Sequence, residues 1–156
     1  MTAPVIARGD LTDPRVLKLL DDHLADMHAT SPPESVHALD VTGLQHPSVT
    51  FWALSDGDEV LGCVALKELA PDHGELKSMR TDAAARGRGL GRMLLDHVLA
   101  EARARGYRRV SLETGTEDFF APARALYARA GFVETGPFAD YTLDPNSTYL
   151  TLELGA

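Results

Sequence analysis

The sequence has only one cysteine, Cys63, and no apolar stretch that approaches the roughly 20 residues a membrane-spanning helix needs. A single cysteine excludes an internal disulfide, and the apolar residues around it predict a buried strand instead of a reactive thiol. The first residues also lack the charged segment and apolar segment of a secretory signal. We therefore expect a cytoplasmic protein that does not associate with a membrane.

Basic residues are scarce as well. Fifteen lysines and arginines face 23 aspartates and glutamates, which gives a net charge of −8 and argues against nucleic acid as a partner. Nine of the basic residues nevertheless lie between residues 77 and 109, where only three acids occur. This segment suits an anionic ligand and the acidic remainder would attract a cation, although a solvated helix face would also explain several of the arginines.

Metal chemistry has no support in the sequence pattern. Six histidines are present. None of them is spaced as in the HExxH motif or as in a close set of Cys and His ligands. We therefore expect no metal site.

The length of 156 residues suits one domain, which we assign to residues 1–156. Residues 4–9 predict a first strand, and Asp13 followed by Pro14 predicts the start of a helix. The proline-rich residues 30–35 interrupt that helix as a loop. A short second helix is expected near residues 34–39.

Three β-rich runs separated by turn sequences predict an antiparallel meander, and apolar residues then recur at helical spacing from Leu90 until Gly106. The order β, α, α, β, β, β, α, β, α, β, β describes a mixed sheet with helices on both faces. The remaining predicted elements are strands at 49–54, 60–69, 75–81, 110–114, from 132 and at 148–154, and a helix at 121–130.

A glycine-rich turn, RGRGLG at residues 86–91, precedes the helix that starts at Leu90. Unpaired N–H groups at a helix start bind anions, and glycines let a phosphate approach the backbone closely. The P-loop requires Lys-Ser or Lys-Thr after its last glycine, whereas Arg92 and Met93 follow here, and the dinucleotide fingerprint requires Gly-x-Gly-x-x-Gly. Neither motif fits, so the turn predicts a pyrophosphate site of another kind.

The turn resembles the phosphate loop of the GNAT superfamily of acetyltransferases, Arg/Gln-x-x-Gly-x-Gly/Ala, which Arg86, Gly89 and Gly91 satisfy. Further on, ARALYARAGF at residues 123–132 resembles the second signature of that family, Ala-x-x-Leu-Tyr-x-x-x-Gly-Phe. Other short segments resemble a bacterial branch of small members. The resemblance implies an α/β fold with a mixed, mostly antiparallel seven-stranded sheet, helices on both faces, and a splay between the fourth and fifth strands.

The resemblance also implies an enzyme. It would be an N-acetyltransferase that uses acetyl-CoA as cosubstrate and transfers the acetyl group directly to a primary amine, with no covalent enzyme intermediate. A small-molecule acceptor is favoured. A protein or peptide acceptor and a non-catalytic CoA-binding or regulatory module remain alternatives, and a homodimer remains open because family members often pair.

By position in the family, acyl-CoA is expected in the splay of the sheet. Met79 would donate its amide N–H to the thioester carbonyl, and Thr81 would bond the pantetheine. Phe120 stands where many members carry an asparagine that touches CoA. The expected cofactor-binding residues are Met79, Arg80, Thr81, Arg86, Gly87, Arg88, Gly89, Leu90, Gly91, Arg92, Phe120 and Tyr127.

Tyr127 falls on the tyrosine with which family members protonate the leaving thiolate, although it would also serve as core filling. An ammonium must lose a proton before it attacks, so a general base is needed. Glu75, expected in phase with Met79, and Glu113, in an otherwise apolar strand, are both candidates, and Glu113 would alternatively hold the amine. The expected acceptor-binding residues are Pro33, Glu34, His37, Trp52, Glu113 and Tyr141.

Overall fold

A computed structural model of the chain describes residues 3–36, 40–82 and 85–155. Seven strands form one sheet in the order β1-β2-β3-β4-β5-β7-β6, and every neighbouring pair is antiparallel except β4 and β5. The strands are β1 (Val5–Arg8), β2 (Val49–Asp56), β3 (Glu59–Ala70), β4 (His73–Thr81), β5 (Arg109–Gly115), β6 (Val133–Thr135) and β7 (Ser147–Glu153). The helices are α1 (Pro14–Thr30), α2 (Val41–Leu44), α3 (Leu90–Ala104) and α4 (Ala121–Arg129).

Helix α1 covers one face of the sheet, called the α1 face below. It begins where the sequence predicts, because the Asp13 side chain accepts a hydrogen bond from the Arg15 N–H and Pro14 occupies the first helical position. Its apolar side packs on residues of β2 and β3, including Cys63. Burial raises the pKa of the Cys63 thiol to about 12, so this residue is a core side chain as expected.

Helices α3 and α4 pack on the opposite face, called the α3 face. Leu94, Leu95 and Val98 of α3 are fully buried against the apolar residues of the strands. The expected fold, a mostly antiparallel mixed sheet with helices on both faces, is therefore confirmed. Within the described ranges, no helix is both long enough and apolar enough to cross a bilayer.

The two parallel strands separate soon after they meet. His73–Glu75 of β4 pair with Arg109–Ser111 of β5, and the register goes no further although both strands continue. The predicted splay between the fourth and fifth strands is thus present. It leaves a cleft between β4 and β5 that opens toward both faces of the sheet.

The proline-rich region differs from the expectation. Instead of one helix near residues 34–39, a single 3₁₀ turn covers Pro33–Ser35, and α2 starts after Asp40, whose side chain accepts a hydrogen bond from the Gly43 N–H. Residues 37–39 lie outside the described part of the chain. The N-cap at Asp40 is the local signal that sets the later start.

Candidate active site

The start of α3 borders a cavity of about 320 Å³, called the helix-start cavity. Gly89 caps the helix with φ 76°, and Gly87 has φ 83°, a left-handed conformation that glycine adopts without strain. Leu90 and Gly91, the first residues of α3, line the cavity. The unpaired N–H groups and the positive dipole end of a helix of 15 residues therefore lie at its edge.

Most of the residues expected to bind the cofactor meet at this cavity, whereas two arginines and Tyr127 do not. Arg88 borders a different cavity and lies 3.6 Å from Asp56, and the Arg92 side chain donates to Asp96 at 2.9 Å. The expected residues that line the helix-start cavity are Met79, Arg80, Thr81, Arg86, Gly87, Gly89, Leu90, Gly91 and Phe120.

Arg80 shows that this cavity suits a polar ligand. Its side chain is 8% exposed, and one terminal nitrogen donates to Asp26 at 2.7 Å. Its buried Nε has no hydrogen-bond partner among the described residues. An unmet buried donor costs stability, and an acceptor on a bound ligand would satisfy it. Nearby, burial and the Arg80 charge lower the pKa of His23 to about 4, so this histidine is neutral.

A β-bulge interrupts β4 beside the cavity. Ser78 and Met79 lie opposite the single residue Val64 of β3. Ser78 has φ 53°, a conformation that few residues other than glycine adopt, and its carbonyl accepts a hydrogen bond from the Cys63 thiol at 3.2 Å. Because a bulge leaves one residue out of the ladder, it breaks the pairing of the backbone at the position expected to serve the thioester.

The bulge also changes which face each side chain occupies. Lys77 pairs with Ala65, which belongs to the apolar cluster under α1, and Glu75 lies two residues earlier on the same face. Met79 packs instead against the cluster on the α3 face. The prediction that Glu75 and Met79 are in phase is therefore wrong, because the extra residue shifts the alternation by one.

A second cavity of about 90 Å³ occupies the splay and is called the inner cavity. It is lined by Glu75 of β4, Glu113 of β5 and Tyr127 of α4, the three expected catalytic residues. Met79 lines both this cavity and the helix-start cavity. The predicted anion site and the predicted acid and base groups therefore border two neighbouring cavities that share part of their lining.

Glu75, Lys77 and Tyr141 form a closed triangle, called the Glu75 cluster. The Tyr141 hydroxyl donates to Glu75 Oε2 at 2.5 Å, and Lys77 Nζ donates to the same oxygen at 3.2 Å and to the Tyr141 hydroxyl oxygen at 2.9 Å. The side chains of Lys77 and Glu75 are 9% and 3% exposed. The Glu75 carboxylate is therefore held in a fixed position by two donors.

Glu113 lies in a different environment, although it lines the same cavity. Burial raises the pKa of its carboxyl to about 7, and the nearby carboxylates of Glu75 and Asp144 add to this effect, whereas Lys77 opposes it. A carboxyl group with a pKa near neutrality exchanges protons readily at physiological pH. Glu113 therefore has the property that a general base needs.

Tyr127 is positioned by α4, and its ring packs against that of Phe132 at 5.7 Å between centroids. The side chain is buried, and burial together with the charge of Glu113 raises the pKa of its phenol. The phenol thus carries its proton at any pH at which the enzyme would work. This is the state that a proton donor requires.

The acceptor residues expected from the sequence are only partly brought together. Tyr141 and Glu113 line the inner cavity, whereas Glu34 borders a separate cavity beside the 3₁₀ turn that contains Pro33. Trp52 is buried on the α3 face, where its ring meets that of His97 at 5.1 Å. This corrects the expectation for Trp52, because strand alternation places its side chain on the α3 face, where it does not line the inner cavity.

His37 lies outside the described residues. The inner cavity also has lining residues that were not expected in the site, among them Lys77, His23 and Met27. The position of Lys77 two residues after Glu75 was a usable signal, since both side chains then share a face. His23 and Met27 come from α1, and only the packing of that helix across the sheet brings them to the cleft.

The sheet with its splay between β4 and β5, and the glycine-rich helix start beside it, agree with the fold that the resemblance to acetyltransferases implies. Residues 16–132 match the profile of the acetyltransferase (GNAT) family, and the chain belongs to this family. Enzymes of the family take the acetyl group from acetyl-CoA.

Two curated relatives match over nearly their whole length. The chain is 50% identical to the uncharacterized N-acetyltransferase YsnE of Bacillus subtilis, over 93% of this chain and 96% of that protein. It is 48% identical to the uncharacterized N-acetyltransferase YedL of Escherichia coli, over 96% and 94% of the two chains. Among solved structures, a Klebsiella pneumoniae protein assigned to the acyl-CoA N-acyltransferases is similar with a TM-score of 0.81, at 30% identity and over 97% of each chain.

Proposed function

We propose that this acetyltransferase uses acetyl-CoA to acetylate the primary amine of a small molecule, by direct transfer while both substrates are bound. The observation that carries the proposal is that two neighbouring cavities share part of their lining. Met79 lines both the helix-start cavity, which suits an anion, and the inner cavity, which contains Glu113 and Tyr127. A donor bound at α3 would therefore present its reactive end to the acid and base groups.

The helix-start cavity would hold the donor through its glycines and arginine. Gly87, Gly89 and the first N–H groups of α3 would bind the pyrophosphate, with Arg86 at the rim, while Phe120 and Leu126 provide an apolar wall for the pantetheine arm. Bound acetyl-CoA supplies an acetyl group activated as a thioester. The N–H of Met79, at the bulge, would donate to the carbonyl oxygen as negative charge develops on it.

Glu113 is the general base in this proposal. Its pKa of about 7 leaves much of it ionised at neutral pH, so it can accept the proton that the amine must lose. Glu75 is already bonded to two donors, Lys77 and Tyr141, and is held in place by them. Glu75 therefore acts as a positioning residue, which fixes the lysine and the tyrosine at the edge of the inner cavity.

Tyr127 is the general acid. Its phenol shares the inner cavity with Glu113 and is protonated at neutral pH, so a proton is present where the thiolate would depart. Cys63, the single cysteine of the sequence, is fully buried, so no cysteine would carry the acetyl group. The amine therefore receives the acetyl group directly.

The size of the inner cavity supports a small acceptor. The cavity measures about 90 Å³ and is lined by residues of α1, β4, β5 and α4. A cavity of this size favours a compact amine over a peptide tail that needs an open groove.

The proposal is tested by calorimetry with acetyl-CoA, followed by an assay of CoA thiol release with a panel of primary amines. We expect micromolar binding and amine-dependent release. Binding without release for any amine would favour the non-catalytic module. Absence of binding by the folded protein would refute the proposal.

The Tyr127→Phe variant is expected to lower kcat by about 10²-fold, because the thiolate would leave without a proton donor. Its affinity for acetyl-CoA should not change, since Tyr127 lines only the inner cavity. Tyr107→Phe is the matched control, because Tyr107 is equally buried and its hydroxyl bonds to Glu68 outside the cleft. Equal activity of Tyr127→Phe and the wild type would remove Tyr127 from the chemistry.

A further inference from the structure

The Glu75 cluster separates the inner cavity from another cavity of about 230 Å³, called the outer cavity. Glu75, Lys77 and Tyr141 line both cavities. The outer cavity is also bordered by Lys67 and Asp140. A compact acceptor that reaches the inner cavity from this side would therefore lie against the cluster.

Two lysines flank the one carboxylate of this partition. Lys67 is paired directly with Glu75 across β3 and β4, so their side chains stand on the same face as near neighbours. Lys77 follows on the same face and donates to Glu75. Lys67 thus adds one positive charge beside the paired charges of Lys77 and Glu75. Asp140 is exposed, and water screens its charge more than that of the buried Lys77.

At the inner cavity, in contrast, the group that would meet the amine is a carboxyl group. Glu113 lies there as the group that would take the proton of the amine. Lys77 is close enough to Glu113 that its charge acts to lower the pKa of that carboxyl. An amine that reaches Glu113 therefore places its neighbouring atoms beside a nearly buried ammonium group, which attracts an anionic substituent and repels a cationic one.

We propose that the acceptor carries a carboxylate a few bonds from its amine, as an amino acid does, and that Lys77 selects this carboxylate with Lys67 beside it. This inference rests on the proposed function. An ammonium group has three N–H donors, and Glu75 and Tyr141 are the two acceptors that the described residues supply to Lys77. A carboxylate oxygen of the acceptor would take the third.

The test compares acceptors that differ only at the carboxylate. The probes are L-methionine with L-methioninamide, and L-phenylalanine with L-phenylalaninamide and phenethylamine, each assayed for kcat and KM with saturating acetyl-CoA. The wild type should prefer the acids by roughly 10- to 100-fold in kcat/KM, the usual range for a hydrogen bond to a charged group. The α-amino group of an amino-acid amide is less basic than that of the acid, so more of it is unprotonated at a given pH. A preference for the acid therefore cannot arise from amine ionisation.

Lys77→Met should reduce this preference to about twofold, since that bond would be lost. The change should appear chiefly as a higher KM for the acids, so the readout is the ratio of kcat/KM between each acid and its own amide, measured within the same variant. Lys67→Met, at a half-buried position, should shift the preference in the same direction by less. Lys18→Met, which removes an exposed lysine paired with Asp22 on α1, is the control and should leave the preference unchanged.

Calorimetry with acetyl-CoA shows whether each variant is folded, because the helix-start cavity is not lined by Lys77 or Lys67. If Lys77→Met does not fold, Lys67→Met decides the question. Equal use of acids and amides by the wild type would overturn the proposal and leave the acetyltransferase function intact. Acetyl-CoA binding with no turnover of any probe would also overturn it, and the wider panel of amines would then decide the proposed function. Absence of acetyl-CoA binding would overturn the proposed function itself.

Discussion

The Gly89→Glu variant is expected to lose acetyl-CoA binding, with the affinity falling by more than about 10²-fold. Gly89 has φ 76° and no atom within contact distance of an added Cβ, so the substitution costs only the strain of a left-handed residue, about 1–2 kcal/mol. Its carboxylate would enter the helix-start cavity at the positive end of α3, where it would occupy the anion position and repel a phosphate. Calorimetry with acetyl-CoA measures the loss.

Gly106→Glu provides a closely matched control. Gly106 has φ 82°, equally open surroundings, and a position just beyond the other end of α3. It therefore introduces the same side chain with the same strain, away from the cavity. The prediction fails if Gly89→Glu binds acetyl-CoA as tightly as Gly106→Glu does.

The Glu113→Gln variant is expected to lose about 10²- to 10³-fold in kcat at pH 8, because the amine would then have no base. In the wild type, kcat should rise with pH through about 7 as Glu113 becomes ionised. The variant should lack this limb of the profile. Steady-state assays from pH 5.5 to 8.5, a range centred on that pKa, measure the loss in kcat and the missing limb of the profile.

The same substitution should stabilise the protein at alkaline pH. The pKa of Glu113 is raised from an ordinary 4.5 to about 7 on folding, so its protonated form is favoured in the folded state. The contribution of Glu113 to the free energy of unfolding is fully present below the unfolded pKa and is lost as pH rises through about 7. This contribution amounts to about 3 kcal/mol. Denaturant unfolding at pH 5 and pH 8 should therefore show that the free energy of unfolding falls less between these two pH values for Glu113→Gln than for the wild type.

Glu75→Gln distinguishes the two carboxylates. It leaves Lys77 buried without its ionic partner, a change that usually destabilises a protein by about 3–5 kcal/mol. Under the assignment made above, the limb of the pH profile near 7 should persist in this variant. Loss of that limb in Glu75→Gln, with its retention in Glu113→Gln, would show that Glu75 is the base.

Local sequence patterns determined much of the fold. Asp13 and Pro14 marked the start of α1, and alternation and turn residues gave the order of strands. The glycine-rich turn indicated where α3 starts, since a helix start and left-handed glycines are properties of a short segment. These features depend on neighbours in the chain, so the sequence alone was sufficient to predict them.

Tertiary structure decided how the side chains meet. The bulge at Ser78 separated Glu75 from Met79, because an extra residue in one strand is defined only against its partner strand. Trp52 entered the core on the α3 face for a similar reason, since the face that alternation assigns depends on the register of the sheet. Neither outcome has a signal in the residues nearby in the sequence.

The properties of the acid and base candidates also depended partly on the sequence and partly on the tertiary structure. The sequence by itself determined that Tyr127, Glu75 and Glu113 were the acid and base candidates, through residue type and motif position. Only the tertiary structure bonded Glu75 to Lys77 and Tyr141 and left Glu113 in a site where burial raises its pKa to about 7. A pKa depends on solvent exclusion and on charges from distant segments, and these exist only once the chain has folded.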